Sequence, residues 1–250
     1  MSNPIIVIEN LSKCYANSNE MSLDNISLKM DSGEKIGILG PNGAGKTTLI
    51  SIICGIMSSS SGKVKYYIQD NEVTYKSIRN RIGFVPQNLA LYNELTAFQN
   101  FEYFGALYRL SKKQIMIQYE LLFPMLGLTN VADRKVKTFS DGMKRRLNLL
   151  IGIIHNPDVL LLDEPTVGVD IQSRNAIISF LNKINGKGTT IIYTSHHMGE
   201  AEQLCNKIAI LDYGNLIAFG KTKDLLLQNN VSDLMLLLMK LTGEGFRDNV

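Results

Sequence analysis

The stretch that decides the fold is Glu34-Lys35-Ile36-Gly37-Ile38-Leu39 followed by Gly40-Pro41-Asn42-Gly43-Ala44-Gly45-Lys46-Thr47-Thr48. The apolar run 34–39 reads as a strand and residues 46–56 as a helix, so the glycines fill the turn between them. GPNGAGKTT meets every fixed position of the pattern G-x-x-x-x-G-K-[ST], in the strand-then-helix context that the pattern requires. Glycines let a backbone fold around a phosphate without Cβ clashes. The loop N–H groups and the helix N-terminus then point at the anion. Lys46 is expected to reach the β- and γ-phosphates, and the Thr47 hydroxyl to ligate Mg²⁺. Alone, the motif implies binding of ATP or GTP and nothing narrower.

Outward from this loop, β-type and helical runs alternate. Strands are expected at 4–9, 22–30, 63–68 and 82–87. Between about 90 and 155 the spacing turns helical, and Thr96 with Gln99 and Ser111 with Gln114 form two capping-box signatures. VLLLD at 159–163 and TTIIYTS at 189–195 are unbroken apolar runs, as parallel strands covered on both faces require. KIAIL and NLIAF, either side of Asp212-Tyr213-Gly214, read as a hairpin. The fold class is therefore α/β: a phosphate-loop NTPase core with a mostly parallel sheet, a small antiparallel β-subdomain and an inserted helical subdomain at about 90–155.

Composition narrows the class of partner. The 250 residues are 45% hydrophobic and 20% charged, enough apolar material for a sizeable core. Lys+Arg 26 against Asp+Glu 23 leaves a net charge of +3, too balanced for bulk binding to nucleic acid or anionic lipid. Cys14, Cys54 and Cys205 have no metal or disulfide spacing and read as small apolar residues in a reducing compartment. The start, MSNPIIVIENLSK, lacks a basic region followed by a long apolar run, so no signal peptide is expected. No run approaches the roughly 20 apolar residues of a membrane span.

VLLLDEP places two acids at the end of a buried strand. Asp163 can hold the Mg²⁺ shell, and Glu164 can orient or deprotonate an attacking water. With these residues in place, the chain resembles the ATP-binding subunit of ABC transporters, exporter-type branch, from about residue 5 to 225. The resemblance implies that Tyr15 stacks on adenine and that Gln87, in FVPQ, touches Mg²⁺ and the attacking water. FSDGMKRRL at 139–147 resembles the family's signature motif, which implies that Ser140, Asp141 and Gly142 face an ATP held by another subunit. VGVD at 167–170 resembles the loop whose Asp170 crosses the dimer interface. His196, in YTSHHM, matches the switch histidine beside the γ-phosphate. His197 reads as packing, His155 as a helix-end residue, and Lys144-Arg145-Arg146 as a solvated helix face.

The signature departs from the family pattern at Asp141, where glycine is usual. A carboxylate about 5 Å from a phosphate is repelled by roughly 1 kcal/mol in water and about 3 at an effective dielectric of 20. Turned outward at a helix start it is harmless or favourable. The following Gly-Met-Lys matches exporter-type members, so Asp141 reads as a subfamily variation.

The resemblance implies a mechanism. Two chains, most simply a homodimer, close on two ATP–Mg²⁺, and Glu164 acts on a water positioned by Gln87 and His196 while Lys46 stabilises phosphate charge. Partner expectations are membrane-spanning permease subunits, a second ATP-binding subunit and no nucleic acid. The expected place is peripheral, on the cytoplasmic face of the cell membrane. Residues 1–225 would form the ATP-binding domain and 226–250 a C-terminal helical segment, whose LMLLLMKLTG run is expected to pack on the core or a partner. Two other readings are a soluble ATPase of this type working without a permease, and an ATP-sensing module with weak turnover, which only Asp141 suggests.

Overall fold

The computed structural model describes residues 3–16 and 20–243. In chain order the first elements are β1 (Pro4–Cys14), β2 (Met21–Asp31), β3 (Lys35–Leu39), α1 (Lys46–Ile53), β4 (Ser61–Ile68), β5 (Asn71–Val73) and α2 (Tyr75–Ile78). Next come β6 (Ile82–Val85), α3 (Ala97–Leu107), α4 (Lys112–Leu122), α5 (Asp141–Ile153), β7 (Val159–Asp163) and α6 (Ile171–Asn185). They are followed by β8 (Thr190–Ser195), α7 (Met198–Leu204), β9 (Lys207–Asp212), β10 (Asn215–Lys221), α8 (Thr222–Asn229) and α9 (Leu234–Thr242). Residues 1–79 with 190–250 form one unit, and residues 80–189 form another.

In the first unit, β2-β1-β4-β5 make an antiparallel sheet, and β10-β9-β3-β8 lie side by side in a mixed one. Strand β3 runs parallel to both neighbours, β8 and β9, while β9 and β10 form the antiparallel hairpin around Tyr213-Gly214. A strand flanked this way needs apolar cover on both faces. Accordingly Ile36, Ile38 and Leu39 are buried, as are all six residues of β8. Strand β1 runs five residues beyond its expected end at residue 9. Asn10 has φ +49°, and the β1–β2 register shifts between Ile8 and Leu11. Such an irregularity interrupts the two-residue alternation by which a strand is recognised, while pairing resumes beyond it.

Helix α9 buries Leu234 and Leu237 and leaves Met235, Leu236 and Met239 exposed. The buried pair at i, i+3 is a one-sided stripe, and it packs against α7 and α8. Among the described residues, no helix is long and apolar enough to cross a membrane.

In the second unit β6 pairs in parallel with β7, whose five residues are all buried. Both anticipated capping boxes are present: Thr96 and Gln99 open α3, and Ser111 and Gln114 open α4. The aromatics of α3 divide by face. Phe101 is buried edge-on against Phe123, with ring centroids 5.2 Å apart, whereas Tyr103 is exposed and bonded through its hydroxyl to Tyr92. Helix α5 buries an unbroken run from Leu147 to Ile153. Within it the Asn148 side chain donates to the Pro86 carbonyl at 3.3 Å, which satisfies a buried amide.

His155, just past α5, is stacked on Tyr108 with ring centroids 3.8 Å apart. Its Nε2–H donates to the Ile82 carbonyl at 3.1 Å. Burial pushes its pKa down from 6.5 to about 4, against a smaller upward pull from the Ile82 bond. Because the folded value lies below the unfolded one, stability from this group is complete above pH 6.5 and is lost as the pH falls towards 4. Acidification from pH 7 to pH 5 is expected to cost about 2 kcal/mol through His155 alone. Urea titrations at the two pH values check this: His155→Phe, which keeps a ring for Tyr108, should lose that part of the pH dependence.

Candidate active site

Strand β3 delivers the chain into the phosphate loop at Gly40. A Cβ there would lie 2.2 Å from the Leu211 carbonyl oxygen, and φ is +153°. At Gly45, with φ +101°, a Cβ would lie 2.4 Å from the Ser22 carbonyl oxygen. The loop thus follows a path, pressed against neighbouring backbone, that residues with side chains cannot take. Gly45 stands at the N-cap of α1 and has no side chain to occupy the first-turn amides. Lys46 is buried, and its Nζ donates to the carbonyls of Gly40 and Pro41 at 2.8 and 2.9 Å, which sets the ammonium inside the loop. Ala44 N–H bonds back to the Pro41 carbonyl, so Pro41, Asn42 and Gly43 form the loop's tip. Thr47 is exposed on the first turn of α1.

The parallel register Leu39↔Ser195 brings the end of β8 beside the end of β3, so His196 follows next to the start of the phosphate loop. His196 is exposed. His197 is exposed as well, with its ring 4.1 Å from that of His196, which corrects its reading as a packed residue: the chain has already left the sheet there. Tyr15 is 40% exposed, and its hydroxyl lies 3.1 Å from Thr48 Oγ1 on α1. An aromatic face is thereby held beside the phosphate-loop helix.

In the second unit, β7 ends on buried Asp163, and Glu164 follows with only 8% exposure and φ +46°. Gln87 Nε2 donates to Glu164 Oε2 at 3.1 Å. The Gln87 carbonyl in turn accepts from the Arg145 guanidinium on α5. Burial lowers the pKa of Arg145, and the nearby Asp141 and Glu164 carboxylates oppose that shift. A carboxylate beside an amide that can orient a water is the arrangement a general base needs. Within the second unit, the side-chain oxygens of Asp163 and Gln87 are hard donors of the kind Mg²⁺ takes.

Ser140 caps α5, accepting from Met143 N–H at 3.3 Å. Asp141, the first residue of the helix, turns outward: its side chain is 80% exposed and lies 3.8 Å from Lys144 Nζ. Of its two possible settings this is the harmless one. Gly142 is required sterically, since a Cβ would come within 2.6 Å of Ser173 Oγ and 3.3 Å of Asp170 Oδ2. Asp170 caps α6, accepting from Ser173 N–H at 2.8 Å and from Ser173 Oγ at 2.9 Å. Those bonds hold its carboxyl below the usual range.

The ABC transporter family model matches residues 23–167 of the chain. A linearmycin resistance ATP-binding protein of Bacillus subtilis is 42% identical over 219 residues, covering 87% of this chain and 69% of that one. The chain belongs to the ABC transporter family. Nod factor export ATP-binding protein I of Cupriavidus metallidurans is 36% identical over 222 residues, covering 89% of this chain and 73% of its own. Among solved structures, an ATP-binding subunit of an ABC transporter superposes with a TM-score of 0.84 at 25% identity, over 95% of this chain and 99% of that one. A dimeric ATP-binding cassette in a post-hydrolysis state with ADP and Pi gives 0.76 at 28% identity, over 87% and 98%.

Within this ABC chain, two residues near the site depart from their expected setting and a third, Ser173, was not anticipated. Arg145 and Arg146 are not on a solvated face. Arg145 reaches the Gln87 carbonyl, and Arg146 donates to the carbonyls of Leu126 and Gly142 at 2.8 and 3.3 Å. Helical spacing held a partial signal, since Asp141 and Arg145 stand one turn apart on the signature helix. Ser173, which ties Asp170 to the ground beside Gly142, gave no such signal.

Proposed function

We propose that this chain is the ATP-hydrolysing subunit of an exporter whose membrane-spanning subunits are separate chains. One observation carries the catalytic part: the Gln87 amide bonded to the Glu164 carboxylate at the end of buried β7. Export is the reading favoured by relatives whose own names are those of resistance and export ATP-binding proteins.

Each site residue then has a task. Lys46 and the amides of residues 40–48 hold the β- and γ-phosphates, and Tyr15 stacks on the base. Glu164 accepts the proton of the attacking water, which Gln87 and His196 orient. Thr47, Asp163 and Gln87 hold Mg²⁺, which when bound neutralises charge on the phosphate oxygens. Ser140, Asp141 and Gly142 present the start of α5 to the ATP of a second copy, with Asp170 beside them. The outward Asp141 leaves that helix terminus compatible with an anion, which favours turnover over a sensing role. Residues 1–225 serve as the ATP-binding domain and the residues from 226 to 243 as a C-terminal helical segment; the rest of that expected segment, 244–250, lies outside the described residues. The chain works at the cytoplasmic face of the membrane and needs no nucleic acid.

Phosphate release from ATP·Mg²⁺ tests the reading. Lys46→Ala removes a charge-assisted contact to phosphate and is expected to weaken ATP affinity by roughly 10- to 100-fold, since such bonds are worth about 1.5–3 kcal/mol. Parental affinity and turnover in that variant would overturn the assignment. Recovery of a multi-span membrane protein with the tagged chain in mild detergent is the expected result for the exporter reading.

A further inference from the structure

Strand β8 ends at Ser195 and α7 begins at Met198, so His196 and His197 form the whole connection between them. Two buried side chains join the elements on either side. Tyr193, three residues before His196 on β8, donates its hydroxyl to Glu200 Oε2 at 2.5 Å. Glu200 lies on the first turn of α7, four residues after His196, and both partners are buried. The backbone adds a second layer: His197 N–H donates to Ser195 Oγ at 2.9 Å, and Glu200 N–H donates to the His197 carbonyl at 3.2 Å. A hydroxyl bonded to a carboxylate away from water is a strong and directional link. It fixes where α7 starts relative to the end of β8, and hence the path of the two residues between.

We infer that the Tyr193–Glu200 bond sets the position of His196, which makes Tyr193 and Glu200 positioning residues for ATP hydrolysis. The inference rests on the reading of His196 as the residue beside the γ-phosphate. Hydrolysis is sensitive to placement of the groups around the reacting phosphate, and a misplacement near 1 Å can cost about 100-fold. ATP binding depends on the phosphate loop, which the bond does not touch.

The test is steady-state ATP hydrolysis by the full chain, with melting temperature measured in parallel. Tyr193→Phe is expected to lower kcat roughly tenfold and to leave KM for ATP within about twofold. Glu200→Gln keeps an acceptor oxygen for the hydroxyl and should lose less than about threefold. The deciding comparison adds Tyr193→Phe to His196→Ala. If the bond acts through His196, the double variant is no slower than His196→Ala alone. An equal tenfold loss in both backgrounds means a merely structural role and overturns the inference. Should Tyr193→Phe not fold, Glu200→Asp, one methylene short of the bond, takes its place in the same comparison and is judged the same way. Parental turnover in His196→Ala overturns the reading of that histidine and this inference with it. A slow His196→Ala beside a fully active Tyr193→Phe overturns the inference alone.

Discussion

Replacing Glu164 with glutamine is expected to lower ATP hydrolysis by about 10²–10⁴-fold, the range attributed to a positioned general base. The substitution is nearly isosteric, and the oxygen of the new amide can still accept from Gln87 Nε2, as Glu164 Oε2 does at 3.1 Å. What disappears is the capacity to take a proton. Residues assigned to hold ATP, Lys46 above all, are untouched, so affinity should stay close to parental. In the proposed two-chain mechanism, bound nucleotide drives closure and hydrolysis reverses it, so a chain that binds ATP and cannot cleave it should accumulate as a closed pair. Light scattering behind size exclusion, with saturating ATP·Mg²⁺, should show a dimer for Glu164→Gln and less of it for the parent. A strictly monomeric variant under those conditions would overturn the two-chain mechanism. Unchanged phosphate release would overturn the role of Glu164.

Alanine at Gly40 is expected to do comparable damage by a different route. Its Cβ would sit 2.2 Å from the Leu211 carbonyl oxygen and 3.1 Å from Ala44 Cβ. Leu211 belongs to β9, and its neighbour Ile210 pairs with Leu39, so the obstructing carbonyl is held in the sheet. The phosphate loop must therefore shift, away from the path proposed to aim its amides at phosphate. We expect a loss of about 2–4 kcal/mol in stability and roughly a hundredfold weaker ATP binding, the equivalent of about 2.7 kcal/mol. Gly43 supplies the control: a Cβ there meets nothing within 4 Å, although φ is +78°. Gly43→Ala should thus cost only about 1–2 kcal/mol of backbone strain. Urea denaturation and titration with a fluorescent ATP analogue measure both effects. Parental binding in Gly40→Ala would show that the loop can relax around the added methyl.

The parts of the fold legible in sequence were those governed by short-range rules. The phosphate loop, the apolar strands ending at Asp163 and Ser195, the hairpin at Tyr213-Gly214 and both capping boxes depend on residues within a few positions of one another. What escaped reading depends on distant partners. Nothing local separates Arg145 from a solvated cation, because its acceptor, the Gln87 carbonyl, lies 58 residues away in the chain. The orientation of Asp141 was open for a related reason: a side chain at the start of a helix can face either way until its surroundings are known. His197 was misread because the family resemblance implies an aromatic, packed residue at that position, although the chain has left the sheet there. The continuation of β1 past Asn10 was hidden by a backbone conformation that composition does not announce.

The left-handed backbone at Glu164 carries a consequence for anyone breeding hardier variants of this chain. Residues with side chains pay roughly 1–2 kcal/mol to hold such a conformation, and glycine or asparagine adopts it more easily. A laboratory selection that scores survival at high temperature alone should drift towards those replacements at position 164. With Glu164 as the proposed base, the winners would be robust proteins that no longer turn over ATP, so any such screen has to reward transport and endurance together.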